Sequence, residues 1–492
     1  MAWDYYDFHE GRGYTRTEFE LLVAACAAQL REHVPALRAR QQGDPGAREA
    51  AMREAGPRVA ALSRNSVRLL ALMAACFRTG AVFVSLNWRL SPHELEALLD
   101  DCDPSLLYVQ GEFRPQVAAT RVPCLDPDAG FGEGRFEGRD APDAQLGMLL
   151  YTSGTSGKPK GVMLTLGNLR AGSRNFRAVA DIRPESVLLC DAPMFHTIGL
   201  VAISHTALMT GARVLFSPAF KPDDTIARIG DPALGITHYF TVPQVAQMLL
   251  HAPSFAPEKF ARLRGLFTGG APLSQELVLE WRAHGVQIVN GYGSSEASTA
   301  IHMPLDPPAH LAGKVGSIGL PAPEIEVSLH DHDGHQVAEG EVGEIWLRGP
   351  SLTQGYWGKP EERANCFTDG WFRTGDAARR DADGCYYIVD RWKDMYISGG
   401  ENVYPAEVEA VIARLPAVLE AAVVGQPDAQ WGEVGEAFVV LRPGAVLGAD
   451  ELGRYLRAEL AGYKCPKQVT FVAALPRTAS GKVQKTQLRR KA

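Results

Sequence analysis

Apolar positions recur at helical spacing over residues 17–33, where Phe19, Leu22, Val23, Cys26 and Leu30 fall on one face, and the spacing predicts an amphipathic helix. Residues 35–57 are rich in Arg, Gln, Gly, Ala and Glu and read as an exposed loop or short helix. Short apolar runs then alternate with helical stretches: strand 59–62, helix 67–77, strand 81–86, and strand 106–109. Between the last two, Ser91-Pro92-His93-Glu94 marks a helix start, with Ser as N-cap, Pro in the first turn and Glu three residues on. The alternation predicts a mainly parallel sheet covered by helices. It returns after residue 185, with apolar runs at 187–189, 213–216, 238–241, 266–268 and 287–289. From about 315 to 390 the texture changes to short alternating runs with Asp-Gly turns, as in 324–329 before Asp333-Gly334 and 344–348, which reads as antiparallel sheet with hairpins. A compact α+β tail follows, with helix 406–415, strands 421–424 and 437–441, and helix 450–460.

The chain is thus α/β: a large N-terminal domain over 1–390, of mixed, mainly parallel sheets with helices plus a β-rich subdomain, and a small α+β C-terminal domain over 391–492. A net charge of −7 removes the basic footprint of a nucleic-acid binder. The eight cysteines are scattered without a two-residue gap, so they read as reduced thiols, not as a zinc or redox motif. The N-terminus lacks the basic stretch and apolar run of a signal peptide. The most apolar segment, 67–88, is broken by Arg68, Arg78 and Gly80, so no transmembrane segment is expected and the cytoplasm is the expected location. The cluster His330-Asp331-His332-Asp333-Gly334-His335 reads as a polar hairpin tip in preference to a metal site.

The most informative motif is Tyr151-Thr152-Ser153-Gly154-Thr155-Ser156-Gly157-Lys158-Pro159-Lys160-Gly161, directly after an apolar run. Small hydroxyl residues and glycines let backbone N–H groups approach phosphate oxygens, the hydroxyls add donors, and Lys160 adds a point charge. Pro159 after Gly157-Lys158 breaks the P-loop NTPase consensus.

This loop resembles the phosphate-binding loop of the adenylate-forming superfamily, in its acyl- and aryl-CoA synthetase branch, and further motifs follow in the family's order. Gly269-Gly270-Ala271-Pro272-Leu273 resembles the adenine-side loop, and Asn290-Gly291-Tyr292-Gly293-Ser294-Ser295-Glu296 the next core motif. Trp371-Phe372-Arg373-Thr374-Gly375-Asp376 resembles the ribose motif, and Asp390-Arg391-Trp392-Lys393-Asp394 the hinge. Residues 398–409 and the lysine motif 476–485 complete the set.

The resemblance implies an ATP-dependent acid–CoA ligase. A fatty or aryl carboxylate attacks the α-phosphate of ATP to give acyl-AMP and pyrophosphate, and CoA then takes the acyl group. Two anions meet in the first step, so positive charge and preorganised donors supply most of the catalysis. By resemblance Lys482 reaches both the carboxylate and the α-phosphate. Glu296, assisted by Thr152 or Thr155, holds Mg²⁺, whose preferred ligands are hard oxygens. Asp376 accepts from both ribose hydroxyls, Arg391 reinforces the ribose, and Tyr292 stacks on adenine. The loop residues Ser153 to Gly157, with Gly270, Ala271, Pro272, Gly293 and Ser295, surround the nucleotide. His196, in Pro193-Met194-Phe195-His196-Thr197-Ile198-Gly199, borders the acyl pocket, where Gly269 and Gly291 with Gly270 and Gly293 leave room for a flat ring or an alkyl chain.

Relatives that activate amino acids carry Asp near position 196, and malonate-activating relatives carry Arg before the Tyr-Gly, so His196 and Asn290-Gly291 argue against both substrates. The resemblance further implies that Lys393 is the hinge of a mobile C-terminal domain, that Gly399 and Gly400 line the pantetheine tunnel, and that Trp431 and Lys464 meet the CoA nucleotide. Cys465 stands where some relatives carry Arg. Three readings remain open: CoA ligase, acyl-AMP ligase loading a carrier protein in trans, and non-catalytic nucleotide-binding relative. The intact Lys482, Glu296 and Asp376 argue against the last. A monomer or homodimer is expected.

Overall fold

The structure is a computed structural model. It describes residues 3–37, 55–132, 134–136, 138, 141–152, 159–392, 394–398, 401–428, 430–477 and 483–489, with the backbone only of Asn402. The chain divides into two compact units, Met1–Val327 with Leu347–Phe372, and Ser328–Trp346 with Arg373–Ala492.

The first unit holds two large sheets. One has six strands in the order Cys124–Leu125, Leu106–Val109, Arg58–Leu62, Val82–Ser85, Leu146–Thr152 and Lys160–Thr165. All its pairings are parallel except the last, which is antiparallel. Its inner strands are buried apolar runs, as a sheet covered on both faces requires. The crossover helix Val67–Thr79 starts on a Ser66 cap and stops at Gly80, whose φ of 78° only glycine adopts freely. The next, Pro92–Cys102, carries the Ser91/Glu94 capping box expected from sequence.

The other sheet has nine strands, ordered Leu320–Pro321, Ser298–His302, Ile288–Ser294, Gly265–Thr268, His238–Thr241, Val187–Cys190, Arg213–Phe216, Tyr5–Asp7 and Arg12–Tyr14. Its centre is parallel and both ends are antiparallel. Trp281, Phe260 and Tyr239 fill the core on one of its faces. A five-stranded sheet of Glu326–His330, Val342–Arg348, Trp371–Arg380, Phe367–Thr368 and Tyr386–Arg391 follows, and the division between units runs through its strands.

In the second unit the long hairpin Val418–Asp428/Gly432–Leu441 pairs with Tyr396–Ser398 and, in parallel, with Gln468–Phe471. Helices Pro405–Ala413 and Ala449–Glu459 pack on it through Val408, Ile412, Leu452 and Leu456.

The fold class is the one expected, and three elements are additions to it. The chain opens with a short hairpin, Tyr5–Asp7/Arg12–Tyr14, that joins the edge of the nine-stranded sheet. The residues after the phosphate loop form a full strand, Lys160–Thr165. The segment Ile198–His205 is a π-helix. Residues 38–54, most of the polar stretch near the N-terminus, lie outside the described residues. The histidine-rich cluster is a hairpin tip: the Asp331 carboxylate accepts from the amides of Asp333 and His335, and His330 stacks on Trp346. Among the described residues no helix is long and apolar enough to cross a membrane.

Candidate active site

The phosphate-type loop is strung between two paired strands. Thr152 faces Lys160 and Tyr151 faces Gly161 across Leu146–Thr152 and Lys160–Thr165. The loop residues Ser153, Gly154, Thr155, Ser156 and Gly157 lie outside the described residues, but both anchors are fixed. Tyr151 donates to Asp101 at 2.5 Å, and Thr152 Oγ1 lies 3.5 Å from the Lys160 carbonyl. The Lys160 ammonium is paired with Glu362 at 2.7 Å and lies 5.5 Å from the centre of the Tyr356 ring.

A segment absent from the sequence reading, 351–357, runs beside the outgoing arm. Met163 N–H donates to Gly355 O, Gln354 N–H to Met163 O, and Trp357 N–H to Gly161 O. The same segment grips Glu296 twice. Thr353 N–H donates to the Glu296 carbonyl at 2.7 Å, and the buried Tyr356 hydroxyl donates to Glu296 Oε1 at 3.0 Å. Burial and the neighbouring Glu296 charge push the Tyr356 phenol up, so it stays a protonated donor. No local pattern marks Tyr356 in the sequence, since its partner is sixty residues away.

Glu296 itself sits in the turn between Ile288–Ser294 and Ser298–His302. This hairpin is tight. Ser294 Oγ accepts from Ala297 N–H, and Ser298 has φ 56°. A Cβ at Gly293 would fall on the Ser298 carbonyl oxygen, and one at Gly291 on the buried His302 ring. Close packing within the hairpin therefore requires glycine at both positions. Gly269 is buried beside the Gly291 carbonyl and Phe240, whereas Gly270 is exposed with φ 79° and leads into Ala271-Pro272. Tyr292 is half-buried on its strand.

The Phe195-His196 segment comes to the same turn: Thr197 Oγ1 donates to Ser295 Oγ at 3.3 Å. His196 is exposed, edge-on to the buried Phe195, which itself meets Trp88 edge-on. The π-helix begins two residues later. Ser204 and Thr206 hydroxyls donate to the carbonyls of Gly199 and Val201, five residues back, which suits the wider turn. Such π-turns are rare and gather at functional sites.

In the second unit Asp376 and Arg391 face one another on paired strands, with Arg391 Nε 2.9 Å from Asp376 Oδ1. Glu344 fixes the approach by accepting from Gly375 N–H and from Arg373. Lys393, Gly399, Gly400 and Lys482 lie outside the described residues. Lys464 is ion-paired with Glu407 at 2.7 Å, and the cation over the exposed Trp431 ring is Lys467, at 5.2 Å. Three residues past Lys482, Lys485 is paired with the largely buried Glu409 at 2.7 Å.

Family models extend the comparison beyond single motifs. Residues 50–357 match the AMP-binding enzyme model, and residues 407–482 match the AMP-binding enzyme C-terminal domain. The chain belongs to the adenylate-forming AMP-binding enzymes. Feruloyl-CoA synthase of an Amycolatopsis species is 41% identical over 91% of this chain and 91% of its own. Indoleacetate–CoA ligase of Aromatoleum aromaticum is 38% identical over 88% of this chain and 87% of its own. Among solved structures, o-succinylbenzoate CoA synthetase of Bacillus subtilis, in complex with ATP and magnesium ion, superposes with a TM-score of 0.84 at 30% identity. That likeness covers 99% of this chain and 96% of the other.

For an AMP-binding enzyme the Glu296 carboxylate suits a hard cation. One oxygen is occupied by Tyr356, and Oε2 has no hydrogen-bond or ion-pair partner among the described residues.

Proposed function

We propose that this AMP-binding enzyme is an ATP-dependent acid–CoA ligase, and that its acid is aryl. The match to CoA-forming relatives over about nine-tenths of the chain carries the reading, and feruloyl-CoA synthase and indoleacetate–CoA ligase act on aryl acids by their names. In the first half-reaction a carboxylate oxygen bonds to the α-phosphorus and pyrophosphate leaves. In the second the CoA sulfur bonds to the acyl carbon, AMP leaves and the thiol proton is released.

Each residue is assigned work that its chemistry supports. Thr152, Lys160 and the loop between them hold the phosphates. Lys482 spans the two anions. Glu296 holds magnesium, which neutralises phosphate charge. The half-exposed Arg391 steadies Asp376, a carboxylate whose two acceptor oxygens suit a pair of ribose hydroxyls. Tyr292 and Gly270-Ala271-Pro272 flank the base. His196, exposed on its aromatic shelf, borders the acid. A carboxylate needs no general base at neutral pH, so His196 is assigned a steric role. We place the domain boundary at 390/391 with Lys393 as hinge, and Gly399-Gly400 beside pantetheine. For the CoA nucleotide, Trp431 with Lys467 is the better-supported pair, because Lys464 must first leave Glu407.

The test is ATP–pyrophosphate exchange with aryl, fatty and dicarboxylic acids, followed by mass spectrometry with CoA. Exchange with an aryl acid and appearance of its thioester is the expected result. Exchange without thioester would replace CoA by a carrier protein, and thioester only from fatty acids would overturn the aryl assignment.

A further inference from the structure

Glu296 projects from a turn, and a turn alone does not fix a carboxylate. What fixes it here comes from outside its own hairpin. Segment 351–357 lies along Lys160–Thr165 through three backbone hydrogen bonds, and Val162 and Tyr356 form a β-bridge. Thr353 Oγ1 donates to the Met163 carbonyl at 2.7 Å and accepts from Gly355 N–H at 3.1 Å, so the segment is closed on itself as well as on the strand. From this platform Thr353 N–H holds the Glu296 main chain and Tyr356 OH holds its side chain. The Lys160 ammonium lies over the Tyr356 ring, with Glu362 as its ion-pair partner.

We propose that Tyr356 is a positioning residue for the metal site: its hydroxyl occupies Glu296 Oε1 so that Oε2 alone is presented to the magnesium of the nucleotide complex, in register with the outgoing arm of the phosphate loop. The proposal rests on the reading of Glu296 as the magnesium ligand. It follows from three observations. The phenol is buried with its ring under a cation, which fixes where its oxygen lies. A phenol donates one proton, and of its two acceptors, Glu296 Oε1 at 3.0 Å and Cys366 Sγ at 4.0 Å, the charged carboxylate oxygen is the nearer and the stronger. The segment that carries Tyr356 is bonded to the strand that carries Lys160, so metal ligand and phosphate arm are referenced to one frame. Loss of a group that orients a metal ligand through a hydrogen bond typically costs about 10–100-fold in metal affinity.

The experiment measures binding, not turnover. Calorimetry gives the affinity of the full chain for α,β-methylene-ATP in magnesium and in EDTA, and the ratio of the two is the metal's contribution. Tyr356→Phe keeps the ring and removes the donor, and should lower that ratio about tenfold while leaving the affinity in EDTA and the Tm unchanged. In a Glu296→Ala background, where the ratio is already lost, Tyr356→Phe should change nothing more. A Tyr356→Phe ratio equal to wild type, with Glu296→Ala losing it, overturns the proposal and leaves the metal reading intact. A Glu296→Ala ratio equal to wild type overturns the metal reading itself, and the proposal with it. A fall in EDTA affinity together with a lowered Tm makes Tyr356 a packing residue and also overturns it.

Discussion

Asp191 shows what one buried carboxyl does to the whole curve of stability against pH. It lies at the end of Val187–Cys190, inside the first unit, and accepts from Thr225 Oγ1 at 2.7 Å and from Tyr239 OH at 2.9 Å. Burial pushes its carboxyl up to about 6, against the opposing pull of those donors and of Arg228. Between the ordinary carboxylate range and about pH 6, the folded form holds a proton that the unfolded form has released. This group's stabilisation is therefore fully present at low pH and is lost as pH rises through 6. The buried His205, His238 and His302 run the other way. Burial lowers each to about 4, so the unfolded chain takes up protons first and stability falls as pH drops below about 6.5. Asp191→Asn isolates the first effect, because Asn keeps an acceptor for the two hydroxyls and loses the titration. Relative to wild type, the variant should gain about 2 kcal/mol between roughly pH 4.5 and 7.5. Urea unfolding at both pH values reads this double difference, and parallel profiles for the two proteins would contradict it.

At the scale of elements, the tight hairpin Ile288–Ser294/Ser298–His302 is where backbone geometry and chemistry meet. Any side chain at Gly293 strikes backbone, not a flexible side-chain tip, so the two strands must part to admit it. Gly293→Ala should cost at least about 1–3 kcal/mol in overpacking and displace Glu296 from Tyr356. The expected readout is a lowered Tm together with loss of pyrophosphate exchange, and a variant with wild-type Tm and exchange would show that the hairpin yields at no cost. The motif around Gly293 was legible in sequence, but the reason for its glycines was not, because the atoms they avoid belong to the returning strand. The same limit runs through the fold. Helix Val67–Thr79 and strand Arg213–Phe216 were readable because caps and apolar runs are local signals. Tyr5–Asp7 was not, since three residues become a strand only beside Arg213–Phe216, some two hundred residues away. Lys160–Thr165 was absorbed into the loop motif that precedes it. Ile198–His205 is apolar nearly all round, so it carries no periodicity from which a π-turn can be told. Tyr356 and Lys467 were missed for a different reason. Each is defined by a partner, Glu296 or Trp431, and not by its neighbours in sequence.

For the molecule as a whole, the two half-reactions ask for different charges, and that difference tests the role proposed for Lys482. Joining a carboxylate to an α-phosphate brings two anions together, and a cation between them lowers the barrier directly. Attack of a thiol on acyl-AMP involves a neutral carbonyl and a leaving group already neutralised from the phosphate side, so a cation between carboxylate and phosphorus has little left to do. The nearest basic substitute in the sequence, Lys485, is held by Glu409 and is not available to take over. Lys482→Ala should therefore cut acid-dependent pyrophosphate exchange by at least about a hundredfold, the usual loss for a single transition-state donor. Thioester formation from supplied acyl-AMP and CoA should stay within a few-fold of wild type. Both rates come from one preparation, so a folding defect would depress them together, whereas the assigned chemistry depresses only the first. Equal loss of both in a protein of unchanged Tm would mean that Lys482 serves the shared acyl-AMP site and not the adenylation step alone. The cation for carboxylate attack would then have to be sought on the loop arm at Lys160, where it stands paired with Glu362.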